Sequence, residues 1–358
     1  MKLISAKYLR FGLLLCIATT IVVQSCRKNE LPLEPKTENK EYVFDVPEGW
    51  PSPNYNFENN PLTKEGFELG RELFFETKLS RTNTISCGSC HQPSAAFAQI
   101  GHDVSHGVDD LLGTRNSPAL FNLNWNTSFF WDGGVNHIEV QPIAPITNPV
   151  EMDESLARMV DKLNADADYK LAFKKVFDKE EVDVEGVMKA MAQFMGLLVS
   201  NNSKYDHVKN NTNGQQFSIA EEKGYQVFLK HCNSCHTEPL FSDQQLHNNG
   251  LKLVNNANNE IDLGRGIISP LDSGSYYKFK TPSLRNLSFT SPYMHDGRFE
   301  TLDEVINHYT IGQRNEVNLA PQLAQYIVLS ATERQDLLAF LNTLNDEQFV
   351  ADERFKSN

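Results

Sequence analysis

Cysteine is scarce in this sequence, and basic residues and long apolar runs are also few. Only six cysteines occur among 358 residues; Cys16 and Cys26 lie near the N-terminus, and the other four form two short pairs, so none remains for a structural disulfide. The N-terminal apolar run Phe11–Val23 has 13 residues, which is short for a membrane span of about 20. Acidic residues outnumber basic ones by 46 to 33, which argues against nucleic acid as a partner and permits docking of a basic protein.

The N-terminus has the pattern of a bacterial export signal. A basic start precedes the apolar run, and the string Val23-Gln24-Ser25-Cys26 that follows it resembles a lipobox. We therefore predict a signal peptide over residues 1–25 and a lipid on Cys26 that anchors the chain on the periplasmic side of a bacterial membrane. Plain secretion after ordinary cleavage is the alternative. Residues 26–58 are rich in Pro, Asn, Glu and Lys, which predicts a flexible tether.

The remaining four cysteines lie in two copies of the pattern C-x-x-C-H. Two thiols at this spacing can reach the two vinyl groups on one edge of a porphyrin, and the adjacent histidine can then place its imidazole beneath the iron. A structural zinc site or two short disulfides would not require a histidine after both pairs. We therefore predict two covalently bound haem c groups, with His91 and His236 as proximal iron ligands and with attachment through Cys87, Cys90, Cys232 and Cys235.

Helical periodicity dominates the rest of the chain, and strand-like alternation is scarce. The asparagine-rich stretch over residues 201–214 indicates a linker or surface loop. It divides a predicted N-terminal haem domain (59–205) from a C-terminal one (206–350). The stretch 91–150 is rich in Gly, Pro and Asn and should wrap a haem. The expected fold class is mainly α, with two cytochrome c-like haem domains and long haem-wrapping loops. Helices are predicted over Ser155–Leu163, Val184–Leu198, Leu302–His308 and Thr332–Leu344.

Several short strings occur in a fixed order from about residue 60 to 345. They are Cys87-Gly88-Ser89-Cys90-His91, Arg115-Asn116-Ser117-Pro118, Phe130-Trp131-Asp132-Gly133, Gln141-Pro142, Pro149-Val150-Glu151-Met152, Cys232-Asn233-Ser234-Cys235-His236, Thr281-Pro282-Ser283-Leu284-Arg285-Asn286 and Pro292-Tyr293-Met294-His295-Asp296-Gly297. In these strings the chain resembles the bacterial dihaem cytochrome c peroxidases, including their MauG-type branch.

The resemblance implies roles for residues near the first haem, which in this family reacts with peroxide. Glu151 falls at the catalytic carboxylate, with Gln141 nearby. Peroxide must lose one proton and its outer oxygen must gain one, and a single carboxylate can carry that proton. Without the resemblance, Glu151 would be expected to be a solvated surface acid. Trp131 falls at the tryptophan between the two haems, where it would shorten each electron-transfer step.

The resemblance also implies two metal-binding features. Asn116 and the backbone carbonyls of Thr290 and Pro292 match the family's interdomain calcium site, and oxygen donors of this kind suit calcium. Some members place a histidine on the distal side of the first haem in the resting state. His106 is the best candidate for that ligand and His102 the second, and a solvated loop histidine is the alternative.

The sixth ligand of the second haem departs from the peroxidase pattern. The classical enzymes carry a methionine fourteen residues after the histidine of the Pro-Tyr-x-His string, where this chain has Tyr309, as the MauG-type enzymes do. An anionic phenolate should lower the reduction potential. Met294 and His308 remain open as alternatives.

These residues predict a dihaem c-type peroxidase that reduces hydrogen peroxide to water with electrons from a small cytochrome c or cupredoxin. One alternative, favoured by Tyr309, is a MauG-type oxidase that acts on a protein substrate through high-valent iron. Another is a non-enzymatic dihaem electron carrier, against which Glu151 and Gln141 argue. Because related enzymes are often dimers, a homodimer is also expected.

Overall fold

The computed structural model of the protein describes residues 42–256 and 258–357. The predicted signal peptide, the lipid-attachment site at Cys26 and the first part of the predicted tether lie outside these residues. Among the helices that are described, none combines the length and the apolar character that crossing a membrane requires.

Helices make up most of the regular structure, which confirms the predicted mainly α fold class. Two short strands, β1 (Leu246–His247) and β2 (Phe279–Lys280), pair antiparallel, with Leu246 opposite Lys280. The helices, in chain order, are α1 (Lys64–Phe75), α2 (Cys87–Cys90), α3 (Ile143–Thr147), α4 (Leu156–Asn164), α5 (Ala167–Phe177), α6 (Val184–Gly196), α7 (Lys204–Lys209), α8 (Ile219–His231), α9 (Leu302–Ile311), α10 (Ala331–Asn342) and α11 (Glu347–Ala351).

A first hydrophobic core forms where α1 packs on α6. The Thr63 side chain accepts a hydrogen bond from the first turn and caps the start of α1. The apolar face of α1 then buries Phe74 against Phe194 of α6, with ring centroids 5.1 Å apart. A Cβ atom on Gly70 would lie 1.9 Å from the carbonyl oxygen of Ala190. The close crossing of these two helices therefore requires glycine at this position.

A second core repeats this construction where α8 packs on α10. A Cβ atom on Gly224 of α8 would lie 1.8 Å from the carbonyl oxygen of Asp336, so this crossing is equally close. Phe228 and Phe340 are fully buried and their ring centroids lie 5.2 Å apart. Each core thus contains a helix that leads toward one C-x-x-C-H string.

The two cores follow the chain in order, except for Phe289 and the C-terminal end. Phe349 and Phe355 pack into the first core, so the predicted C-terminal domain (206–350) ends in residues that return to the first half. The described residues belong to one compact unit. The division into two separate haem domains therefore stays a prediction.

Residues 42–58 correct one prediction, because they do not form a flexible tether. Phe57 is 6% exposed. The indole nitrogen of Trp125 donates a hydrogen bond to the carbonyl of Pro51 at 2.8 Å, and the rings of Trp50 and Trp125 lie 4.8 Å apart. The prediction rested on the polar residues of this segment and overlooked its aromatic side chains, which bury against the first core.

The long segment between α2 and α3 is a loop, as predicted. Its regular structure is limited to isolated bridges and single turns of 3₁₀ helix. Arg115 in this loop donates hydrogen bonds to Asp132 at 2.6 Å and to Asp262 at 2.6 and 2.9 Å. Since Asp262 belongs to the second half of the chain, this ion pair ties the loop to that half.

Candidate haem sites and the cavity

The first C-x-x-C-H string forms a single helical turn, and its histidine is oriented by the backbone. The Nδ1 atom of His91 lies 2.8 Å from the carbonyl oxygen of Phe97. A carbonyl can only accept a hydrogen bond, so Nδ1 carries the proton and Nε2 is left with a free lone pair. Burial lowers the pKa of His91 to about 4. The imidazole is therefore neutral, which is the form that binds a metal.

The second string has the same arrangement. It begins at Cys232, where α8 ends. The Nδ1 atom of His236 lies 3.1 Å from the carbonyl oxygen of Phe241 and 3.2 Å from that of Pro282, which again leaves Nε2 free. Burial lowers the pKa of His236 below its usual range. Both predicted proximal histidines thus have the tautomer and charge state that an iron ligand needs.

The cysteines of the two strings are free thiols, which excludes the two short disulfides in this structure. Burial raises the pKa of Cys87 to about 12 and that of Cys90 to about 11. A zinc site needs four ligands. Within residues 42–256 and 258–357, the only group of three or more potential metal-binding side chains consists of Cys235, Asp243 and His247. The two cysteine pairs therefore do not form a zinc site together.

A cavity of about 330 Å³ borders the second string. Its wall includes His236 and both cysteines of that string, together with Tyr309, and it also reaches Trp131 and Gln141. Most of the lining is apolar or aromatic, with side chains from both halves of the chain. A cysteine pair, an imidazole with a free Nε2 atom and an apolar enclosure fit haem c, so this string and this cavity could hold that group.

Tyr309 of α9 borders the cavity, as a distal ligand of the second haem would have to. Burial raises the pKa of its phenol to about 12, although a hydrogen bond with Asn249 opposes that shift. Met294 borders the same cavity, and its sulfur lies 3.6 Å from the Asn249 side-chain nitrogen. His308 points elsewhere and hydrogen-bonds through Nε2 to the Asn249 carbonyl at 3.0 Å. Of the three candidates, Tyr309 and Met294 therefore face the space where the haem would lie.

Trp131 is held by hydrogen bonds from both halves of the chain. Its indole nitrogen donates to the carbonyl of Asn116 at 2.8 Å, and its own carbonyl accepts from the backbone nitrogen of Lys280 at 2.7 Å. The next residue, Asp132, pairs with Arg115. This predicted bridging residue is thus fixed in place at the wall of the cavity.

Glu151 lies beside the first cysteine pair. It is partly buried, and this burial raises the pKa of its carboxyl, while a 2.7 Å hydrogen bond from Asn148 lowers it. Its carboxylate is near enough to Cys87 and Cys90 to contribute to the raised pKa of both thiols. Gln141 borders the cavity, whereas Glu151 is not part of its wall. Gln141 precedes α3 in the chain and Glu151 follows it, so one short helix separates the two residues.

The predicted distal histidine of the first haem is at the surface of this region. The Nδ1 atom of His106 lies 2.9 Å from a carboxylate oxygen of Asp110, and its ring packs edge-on against that of His102 at 4.7 Å. Its backbone carbonyl accepts a weak hydrogen bond from the Cys90 thiol at 3.9 Å. His106 is therefore close to the first string, and its role as a ligand stays a prediction.

The three predicted calcium ligands border the same cavity: Asn116, Thr290 and Pro292. The Asn116 side chain is buried, and its nitrogen donates to the carbonyls of His102 and Asp103 at 3.4 and 3.2 Å. Calcium binding at this position stays a prediction.

Lys280 and Asn249 are among the residues of the cavity wall that the sequence analysis did not single out. Lys280 stands directly before the Thr281–Asn286 string, and Asn249 lies in a polar stretch without a recognisable motif. No pattern in the sequence indicates that either side chain faces the cavity.

Comparison with known proteins gives one consistent result. The family described as di-haem cytochrome c peroxidase matches residues 64–214. The methylamine utilization protein MauG of Methylorubrum extorquens is 37% identical over 311 residues, which cover 85% of this chain and 84% of that protein. The cytochrome c551 peroxidase of Nitrosomonas europaea is 32% identical over 296 residues, which cover 80% of this chain and 82% of that protein.

The solved structures agree with the sequence relatives. A MauG-like protein associated with microbial copper homeostasis superposes with a TM-score of 0.79 at 32% identity, covering 88% of this chain and 99% of the other. The diheme peroxidase of Burkholderia thailandensis shares the fold, with a TM-score of 0.69 at 21% identity. These relatives imply two haem c groups and an oxidoreductase. The chain therefore belongs to the di-haem cytochrome c peroxidase family.

Proposed function

We propose that this protein reduces hydrogen peroxide to water with electrons from a small donor protein, a cytochrome c or a cupredoxin. The observation that carries the proposal is Glu151, a partly buried carboxylate with a raised pKa beside the first C-x-x-C-H string. An electron carrier needs no proton-transfer group at that place, whereas peroxide reduction does.

Haem bound at the first string would supply a metal centre that binds peroxide and passes electrons to it. Glu151 then takes the proton from one peroxide oxygen and returns it to the other, so that the oxygen–oxygen bond breaks with release of water. The Asn148 amide donates to one carboxylate oxygen at 2.7 Å, and the second oxygen, which accepts no side-chain hydrogen bond from the described residues, would carry the proton. Two electrons and two further protons complete the conversion of one peroxide to two waters.

Trp131 serves as the electron bridge in this proposal. It borders the cavity that His236 and Gln141 also border. Its indole nitrogen donates to the Asn116 carbonyl and its carbonyl accepts from the Lys280 backbone nitrogen, which holds it in place. A fixed aromatic side chain replaces one long electron-transfer step with two shorter ones.

We also propose the setting of this reaction from the sequence. Export and lipid attachment at Cys26 would hold the enzyme on the periplasmic side of a bacterial membrane, where small donor proteins are found. The net charge of −13 would favour a basic donor surface. A calcium ion at Asn116, Thr290 and Pro292 and a homodimeric assembly complete the proposal.

A second candidate function is that of a MauG-type oxidase, which would oxidise a protein substrate. It is supported by Tyr309, which stands at the cavity wall where classical peroxidases carry a methionine, and by the similarity to MauG sequences.

One experiment separates the two functions. The haem-loaded exported protein is mixed with a reduced small cytochrome c, and peroxide is added while donor and enzyme absorbance are followed. Rapid, repeated oxidation of the donor is expected for the peroxidase. Slow donor oxidation with a long-lived oxidised enzyme would favour the second candidate, and no response to peroxide in either redox state would refute both.

A further inference from the structure

The wall of the cavity carries an unbalanced positive charge. No aspartate or glutamate borders it among the described residues, although acidic residues predominate in the chain as a whole. One arginine and one lysine border it, Arg285 and Lys280. The guanidinium of Arg285 is neutralised by Asp206, with two hydrogen bonds of 2.8 Å. Lys280 is the cation that remains.

Lys280 has no charged partner among the described residues. Its ammonium donates to the side-chain oxygen of Gln244, a neutral group, at 3.4 Å, which is too long for a strong hydrogen bond. Its backbone is fixed, because it lies in β2 and its nitrogen donates to the Trp131 carbonyl. Burial alone lowers the pKa of Lys280 to about 8. An anion would stabilise a half-buried ammonium that lacks a charged partner and borders a mostly apolar cavity, so this position suits an anionic group.

The segment that carries Lys280 leads to the second haem motif. Two residues later, the carbonyl of Pro282 lies 3.2 Å from the Nδ1 atom of His236. Haem attached at Cys232 and Cys235 has its vinyl edge at those cysteines and two propionate carboxylates on another edge. Those carboxylates are the anions that the cofactor itself would bring into a cavity without acidic side chains.

We propose that Lys280 binds a propionate of the haem attached at Cys232 and Cys235, and that it thereby places the carboxylate edge of this haem beside the Trp131 backbone. The inference requires haem at the second string but does not depend on which reaction the protein catalyses. A positive charge at this place stabilises the reduced haem relative to the oxidised one and keeps the propionate ionised.

The test compares the haem-loaded protein with three variants. Lys280→Met removes the charge, Lys280→Arg keeps it, and Lys278→Met is the matched control, because Lys278 lies in the same segment but does not border the cavity. The reduction potential of each haem is measured by redox titration from mildly acidic to mildly basic pH, with the two haems distinguished by their optical spectra.

In Lys280→Met we expect the potential of the second haem to fall and to become pH-dependent. Without the lysine charge, the propionate titrates within the pH range of the measurement. The reduction potential then decreases as the pH rises, because reduction of the haem is coupled to proton uptake by the propionate. The unmodified protein, Lys280→Arg and Lys278→Met should show the higher, pH-independent potential. Haem content, measured from the mass of the protein, is a second readout: loss of the second haem in Lys280→Met with retention in Lys280→Arg also supports the inference.

Equal second-haem potentials in Lys280→Met and Lys278→Met at every pH would overturn the proposal. A shift confined to the first haem would overturn the assignment to the second. A pH-dependent second-haem potential of the same form in the unmodified protein would show that no cation holds the propionate. None of these results requires peroxide, so they leave the peroxidase proposal to be judged by the donor-oxidation experiment.

Discussion

Glu151 has a carboxyl whose titration should control the rate of peroxide reduction. Because burial raises its pKa, the carboxylate that accepts the peroxide proton is lost on acidification at a higher pH than for an exposed glutamate. We expect turnover to fall as the pH drops through this raised pKa. Glu151→Gln should lower turnover by about 10²- to 10⁴-fold, remove the acidic limb and leave both haem spectra unchanged.

The control for Glu151→Gln is Glu185→Gln, since Glu185 is an exposed acid on α6 that pairs with Lys189. Steady-state oxidation of the donor across pH measures both variants. Turnover of Glu151→Gln equal to that of the control would remove Glu151 from the mechanism.

At the residue scale, the sequence indicates which side chains are present but not what orients them. The cysteine pairs and the histidines after them are visible in the strings. The acceptors that fix their tautomers, the carbonyls of Phe97, Phe241 and Pro282, are backbone atoms whose position depends on the path of a loop. Lys280 was missed for a related reason, because only the folded chain shows that it borders a cavity without acidic side chains.

The helix α9 carries two candidate ligands of the second haem, His308 and Tyr309, on different sides of its axis. Neighbouring residues on an α-helix point about 100° apart, so Tyr309 borders the cavity while His308 turns to the Asn249 carbonyl. If Tyr309 is the ligand, Tyr309→Met should replace a phenolate by a thioether and raise the potential of the second haem. Optical and paramagnetic-resonance spectra with a redox titration measure this change.

Met294→Leu is the matched control for Tyr309→Met, since both side chains border the cavity and neighbour Asn249. It should leave the spectra of both haems as they are. A spectrum that changes in Met294→Leu but not in Tyr309→Met would identify the methionine as the ligand instead.

At the element scale, periodic sequence patterns predict helices well and aromatic segments without periodicity poorly. The patterns over Ser155–Leu163 and Val184–Leu198 correspond to α4 and α6 within two residues at each end. Residues 42–58 have no such period, and their burial depends on contacts with Trp125, far along the chain. The pairing of β1 with β2, two residues each, is equally non-local and too short to leave a pattern.

On the scale of the whole molecule, contacts between the two halves place the candidate sites relative to each other. Arg115 pairs with Asp262 across the halves, Phe349 and Phe355 return to the first core, and one cavity takes its wall from both. Electron transfer between the sites depends on this arrangement, because Trp131 receives a hydrogen bond from one half and belongs to the other. Conditions that weaken the contacts between the two halves should therefore slow electron transfer between the two haem sites without altering the ligands of either haem.

Calcium removal tests how strongly the two halves are held together at the predicted site, where Asn116 of the first half and Thr290 and Pro292 of the second border one cavity. An ion bound there stabilises the folded protein by about 2.7 kcal/mol when its concentration is a hundred times its dissociation constant. Exhaustive chelation should lower the midpoint of thermal unfolding and slow peroxide turnover. Added calcium should restore both, and magnesium should not, because it requires closer octahedral coordination. An unchanged midpoint and turnover after chelation would mean that the halves are held by protein contacts alone, among them the Arg115–Asp262 ion pair.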